Sequence, residues 1–108
     1  MIKVGIVGIS GYSGAKALEL LLKHPNVRVT YVSANNTQGK VSDIWPRFWK
    51  ETDLVCSKFD LNKGLGASDL FILAVPHTVA MTIAPSLIEA GKRVIDLSAD
   101  YRLKDLKE

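Results

Sequence analysis

Gly8, Gly11 and Gly14 stand three residues apart between two segments of opposite periodicity. Before them runs Ile2-Lys3-Val4-Gly5-Ile6-Val7, a short apolar segment rich in β-branched residues, as a strand requires. After them, from Ala15 to Lys23, apolar residues recur at helical spacing. Ala15, Leu18 and Leu22 share one face with Leu21 beside them, and Glu19 and Lys23 lie four apart on the polar side, in the favourable order. A chain that passes from strand to helix through glycines has little freedom. The turn is tight, and bare backbone lies where the helix offers unpaired N–H donors and the positive end of its dipole. Strand, glycine turn and helix in this order suit a phosphate, above all the pyrophosphate of a dinucleotide. The spacing is G-x-x-G-x-x-G rather than G-x-G-x-x-G, so the flanking elements carry the reading more than the glycines do.

The rest of the chain alternates strand and helix. Pro25-Asn26 ends the first helix, and the alternating run Val27 to Val32 predicts a second strand. Asn35 to Gly39 is a polar loop. Lys40 to Thr52 has no clear period, and Trp45-Pro46-Arg47-Phe48-Trp49 is expected as a short helix or turn with its aromatics on the domain edge. Leu54 to Ser57 predicts a weak third strand, and Leu61 to Ser68, with Gly64 and Gly66, a turn or broken helix. Asp69 to Val75 is the clearest buried strand, apolar on both faces as in parallel sheets covered by helices. Thr78 is placed to cap the next helix, with Val79, Ile83, Leu87 and Ala90 inward. Pro85 should kink or restart that helix, and Gly91 should end it. Arg93 to Leu97 is a fifth strand, followed from Ser98 by a polar, basic stretch with no sixth. The pattern implies βαβ units: an α/β fold, a Rossmann-type parallel sheet with helices on both faces.

With 108 residues the chain is expected to be one domain, 1–108, large enough for a single core but small for a dinucleotide enzyme. Its 47% hydrophobic and 23% charged residues are ordinary for a globular protein. No apolar run approaches the roughly 20 residues of a membrane helix. The net charge of +3 comes from scattered lysines, so neither a nucleic-acid surface nor a membrane partner is expected. Lys3 and Gly5 interrupt the first apolar run, which argues against a secretory signal, and the cytoplasm is the expected compartment. The single cysteine, Cys56, has no metal-ligand spacing around it and reads as a buried strand residue rather than a reactive thiol.

In such a fold the end of the second strand meets the adenosine ribose, and an acidic residue there binds the ribose hydroxyls of NAD. Here Ser33-Ala34-Asn35-Asn36-Thr37 contains no carboxylate. Ser33, Asn35 and Thr37 can donate to a 2′-phosphate and Lys40 can add charge, which favours NADP; an ordinary polar loop is the alternative. Val75-Pro76-His77 and Leu97 to Asp100 lie at carboxyl edges of the sheet, where ligands bind. Pro76 fixes the backbone beside a nicotinamide position. His77 is a candidate proton carrier or a solvated residue before a helix, and His24 a surface residue favourable to the helix dipole. Asp96, Asp100 and Arg102 form a local ion network or shape a pocket.

Together, Gly8-Ile9-Ser10-Gly11-Tyr12-Ser13-Gly14, Ala74-Val75-Pro76-His77 and Ile95-Asp96-Leu97-Ser98-Ala99-Asp100-Tyr101-Arg102 resemble N-acetyl-gamma-glutamyl-phosphate reductase, with the last block the most specific. Leu22-Lys23-His24-Pro25 and Gly39-Lys40 extend the resemblance along the chain. It implies an amino-terminal NADP-binding domain and NADPH-dependent reduction of an acyl phosphate to a semialdehyde in arginine biosynthesis, through attack by a cysteine thiolate. The family's cofactor contacts map onto Gly8, Ser10, Gly11, Tyr12, Ser13, Gly14, the second strand end at Ser33 and Asn35, and Pro76. A serine–arginine pair common at that strand end is absent here. The family's Asn-Pro-Gly-Cys nucleophile motif and its later catalytic histidine do not occur in the chain, and Cys56 is no substitute. No catalytic residue is therefore expected within 1–108: the catalytic and dimerisation domain is absent, and the chain alone should turn nothing over. The substrate would act only with that domain. A related semialdehyde dehydrogenase with another acyl-phosphate substrate, or a free-standing nucleotide-binding or sensing module, are the other readings. Apolar surface around Trp45, Phe48, Trp49 and the fifth strand is expected to be exposed, so the chain should form homo-oligomers.

Overall fold

The computed structural model describes residues 2–9, 11–34, 39–48, 52 and 54–97, apart from the side chains of Arg47 and His77. In chain order the elements are β1 (Ile2–Val7), α1 (Tyr12–Leu22), β2 (Val27–Ser33), β3 (Gly39–Lys40), α2 (Val41–Ile44), a 3-10 turn (Pro46–Phe48), β4 (Val55–Cys56), α3 (Leu61–Ala67), β5 (Leu70–Leu73), α4 (His77–Glu89) and β6 (Arg93–Asp96). Four strands form one parallel sheet in the order β2-β1-β5-β6.

Strand alternation in β1 and β2 divides the core in two. Ile6 and Val32 face one side, where they pack with Ala15 and Leu18 of α1, Val41 of α2, Phe48 and Cys56. Their neighbours Val7 and Tyr31 face the other, with Phe71 and Leu73 of β5 and Ala80 and Leu87 of α4. Leu61 and Leu65 of α3 close that second cluster. Helices therefore cover both faces of the sheet, as the period-2 pattern of its strands requires.

Several elements differ from the sequence expectation. α1 begins at Tyr12, three residues before Ala15, so Gly14 is helical. Gly11, extended at φ −89° and ψ 164°, is its N-cap, and the helical bonds start with the Ala15 amide on the Gly11 carbonyl at 3.0 Å. Leu54–Ser57 does not add a strand to the main sheet. Val55 and Cys56 pair antiparallel with Lys40 and Gly39, and one parallel bridge joins Ser57 to Ser33. The Val41 amide on the Leu54 carbonyl at 3.0 Å turns this segment back toward β3, leaving too little length for a ladder along β2.

The stretch with Gly64 and Gly66 is an unbroken helix, α3. The Asp60 carboxylate accepts from the Lys63 amide at 3.2 Å, and the Tyr31 hydroxyl accepts from the Asp60 amide at 2.9 Å. These bonds hold the helix start against β2, offsetting the glycine cost. At α4 it is the Pro76 carbonyl, accepting from Val79 and Ala80, that opens the helix, and Thr78 lies inside it rather than capping it. The inner face is formed by Ala80, Ile83, Ala84 and Leu87, leaving Val79 and Ala90 exposed. α4 neither stops nor restarts at Pro85, which sits on its exposed side, where water can serve the carbonyl deprived of a donor. Gly91, at φ +82°, ends it as expected, with Gly91 and Lys92 amides on the Ile88 and Leu87 carbonyls.

Phe48 corrects the expected aromatic patch. Its ring is 1% exposed and belongs to the core beside Ile6 and Leu18, while Trp45 is half-buried and Trp49 lies outside the described residues. Phe48→Ala should therefore lower stability by about 3–5 kcal/mol in urea unfolding. A change below about 0.5 kcal/mol, the size typical of surface positions, would return the ring to the surface.

Candidate functional site

The loop between β1 and α1 is pinned from below. The amides of Gly8 and Ile9 both donate to the Ser33 carbonyl, at 2.8 and 3.0 Å, and the Gly11 amide closes the turn on the Gly8 carbonyl at 3.2 Å. The Ala74 amide donates to the Val7 carbonyl at 2.8 Å, which brings the end of β5 alongside. Gly8, Gly11, Tyr12, Ser13 and Gly14 therefore meet the ends of β2 and β5 at one edge of the sheet.

The glycines there are not equivalent. Gly8 has φ +101°, and a Cβ on it would strike the Ala74 carbonyl. A Cβ on Gly14 would strike the Gly8 carbonyl, so this glycine lets α1 lie close on the loop. Gly11 is different: its φ is ordinary, and the nearest atom to a Cβ would be the Gly8 carbonyl oxygen at 3.7 Å. Nothing within the described protein demands a glycine there. Three roles match the three glycines of a dinucleotide loop: a tight turn, a bare approach for pyrophosphate, and close helix packing. The first turn of α1 contains no acidic residue, and its glycine cap has no side chain to accept from it, so the helix end is suited to an anion.

Ser33 ends β2 directly beneath the loop. Its side chain is fully buried, and its Oγ has no hydrogen-bond partner among the described residues. An unsatisfied buried hydroxyl costs about 1–3 kcal/mol, so this atom is suited to a partner from outside the chain. Pro76 is exposed, just past β5, at the N-cap of α4. Tyr12 is 82% exposed, its ring 5.7 Å from that of Trp45 and tilted by 51°. Ser10 and Asn35 lie outside the described residues, as do Asn36, Thr37, Asp100 and Arg102. His77 opens α4. His24 accepts the Asn26 amide on Nδ1 at 3.1 Å, a contact within the turn after α1.

Trp45 was not among the expected site residues, yet its indole Nε1 donates to the Ile9 carbonyl in the loop at 2.7 Å. A half-buried indole N–H calls for an acceptor, but its sequence position does not say which. Cys56 is buried and burial pushes its thiol above the ordinary value of 9.0, which disfavours the thiolate a nucleophile needs. Among the described residues no group of three histidine, cysteine or acidic side chains could hold a metal. No helix there is long and apolar enough to cross a membrane.

Parallel sheet, pinned glycine loop and bare helix end define a dinucleotide-binding α/β domain. Residues 3–106 match the family model "Semialdehyde dehydrogenase, NAD binding domain", and the chain belongs to that family. It is 47% identical over 110 residues to N-acetyl-gamma-glutamyl-phosphate reductase from Pseudomonas aeruginosa (strain UCBPP-PA14), covering 100% of this chain and 32% of that protein. Identity is 44% over 104 residues to the reductase of that name from Desulfotalea psychrophila, covering 95% and 30%. Among solved structures, aspartate semialdehyde dehydrogenase with NADP from Candida albicans superposes with a TM-score of 0.79 at 25% identity, covering 94% of this chain and 31% of that one. The chain thus spans under a third of the length of these relatives.

Two outcomes follow for the apo chain. Gly8→Ala should lose about 2–5 kcal/mol, from left-handed strain and the Ala74 clash, and Gly14→Ala about 1–3, while Gly11→Ala should change stability by less than about 1. Urea unfolding of the three variants checks the order, and an equally damaging Gly11→Ala would contradict it. Because the raised thiol keeps its proton longer in the folded chain, the Cys56 contribution is whole below about pH 9 and is lost as pH rises above it. Unfolding free energy measured from pH 8 to 10.5 should decline less steeply in Cys56→Ala than in the parent.

Proposed function

We propose that this chain is the NADP-binding domain of an oxidoreductase that reduces an acyl phosphate to a semialdehyde, as in N-acetyl-gamma-glutamyl-phosphate reductase. The observation that carries the reading is Gly11, a glycine in the loop with room for a side chain on the protein's side. Bare backbone there admits the pyrophosphate to the helix end, where amides and dipole offset its charge in a way side chains could not at that distance. Gly8 and Gly14 hold the turn and helix close enough for this, and Ser10, Tyr12 and Ser13, in the same stretch of sequence, are its further contacts in this reading. Bound, the dinucleotide supplies a hydride; the chain's own residues bind and orient it.

At the adenosine end, Ser33 offers its buried hydroxyl, and Asn35 follows two residues on. β2 carries no carboxylate to bind ribose hydroxyls and repel a 2′-phosphate, which supports NADP over NAD. Pro76 stiffens the backbone on the nicotinamide side. In a protein of the relatives' length, the thiolate nucleophile and the substrate contacts lie outside 1–108. The chain alone binds cofactor without turnover, in the cytoplasm. Homo-oligomers are supported by Ile95 of β6 and Met81 of α4, large apolar side chains 47% and 61% exposed.

Calorimetry with NADPH and NADH tests the reading. The chain should bind NADPH more tightly than NADH, and Gly11→Ala should weaken NADPH by about tenfold or more, or 1.4 kcal/mol. No binding of either nucleotide, or a Gly11→Ala variant that binds like the parent, would contradict it.

A further inference from the structure

We propose that Trp45 is a positioning residue of the dinucleotide loop, a proposal that rests on the cofactor reading above. A site for an anion must be lined by N–H rather than C=O dipoles, and a loop carbonyl without a donor of its own can turn toward the phosphates, whatever holds the amide on the other side of its Cα. In this loop the amide of Ile9 is held by the Ser33 carbonyl at 3.0 Å. The Ile9 carbonyl is held from outside the loop, by the Trp45 indole at 2.7 Å. This bond engages that oxygen with the indole at the C-cap of α2, so it is not free to turn to the phosphates. The contact spans 36 residues of sequence, so it is built by the fold and not by a local turn.

Trp45 itself is set by the short helix before it: its amide donates to the Val41 carbonyl at 2.8 Å, and Val41 is fully buried in the core. Its ring also lies against Tyr12, the first residue of α1 and otherwise exposed. One side chain thus braces both ends of the turn, the Ile9 carbonyl by hydrogen bond and the helix start by ring contact. The indole is an apt brace because its N–H is donor only and cannot reverse polarity.

Trp45→Phe keeps a ring against Tyr12 and removes the donor. NADPH affinity, read by calorimetry, should fall about three- to tenfold, the worth of one hydrogen bond. Affinity for adenosine 2′-monophosphate, which lacks the pyrophosphate, should stay within about twofold by NMR titration, and binding too weak to read in both proteins counts as unchanged. Equal NADPH affinity in parent and variant overturns the proposal while leaving the cofactor reading intact, and so does an equal loss of both ligands, which marks a merely structural role. A parent that binds neither ligand brings down the reading and the proposal together. Should Trp45→Phe fail to fold, the parent's own indole resonance decides. The chain has two tryptophans, and the indole N–H showing a nuclear Overhauser effect to the Tyr12 ring is that of Trp45. It should shift with NADP and stay still with adenosine 2′-monophosphate; an indole indifferent to NADP overturns the proposal.

Discussion

The Ser33 carbonyl, accepting from both Gly8 and Ile9, is the bond pair on which the rest of the site depends. It ties the exit of β1 to the end of β2 at the moment when the chain must leave the sheet. Gly8 can then take φ +101° and pass under the Ala74 carbonyl without a side chain in the way. α1 starts at once, its first turn pressed on the Gly8 carbonyl through Gly14, and its bare end emerges at the carboxyl edge of the sheet. Ligands of open α/β sheets gather at that edge because strand ends and helix dipoles converge there. The buried Ile6 and Val7, facing opposite clusters, make β1 the rigid post from which the loop hangs.

Much of this was legible in the order of residues, and for local reasons. β1, the glycine turn and α1 follow from period and glycine placement; the buried run at 70–73 and the Gly91 helix stop follow from composition alone. Three of the misreadings share a cause, a contact made at long range, and the fourth is local. Gly64 looks like a helix breaker until the Phe71 ring is set beside it, where a Cβ would stand 3.2 Å away. Phe48 looks like surface among Trp45 and Trp49 until α2 folds it under the sheet. Val55 and Cys56 look like part of the main sheet until the chain's return to Lys40 pairs them with β3. Thr78 looks like a cap until the Pro76 carbonyl starts the helix earlier.

Within the site the same division holds. Glycine spacing marks three positions as alike, and only the geometry separates Gly8 and Gly14, required by the protein itself, from Gly11, which is not. Ser33 could be named from its place at a strand end, but its unpartnered hydroxyl is a property of packing. Trp45 could not be named at all, because an indole's acceptor 36 residues away leaves no trace in spacing. Family membership supports a chain that holds a cofactor, and Cys56, buried with its thiol pushed up by burial, packs in the core beside Ile6 and Val32.

The most direct test of a pyrophosphate seated on the glycine turn is to record amide resonances of the ¹⁵N-labelled chain as NADP is added. Resonances of Gly8, Gly11, Tyr12, Gly14 and Ser33 should move first and furthest, with those of α3 and the far end of α4 unmoved. Shifts centred on α3 or on the outer face of α4, with the glycine turn silent, would contradict the account.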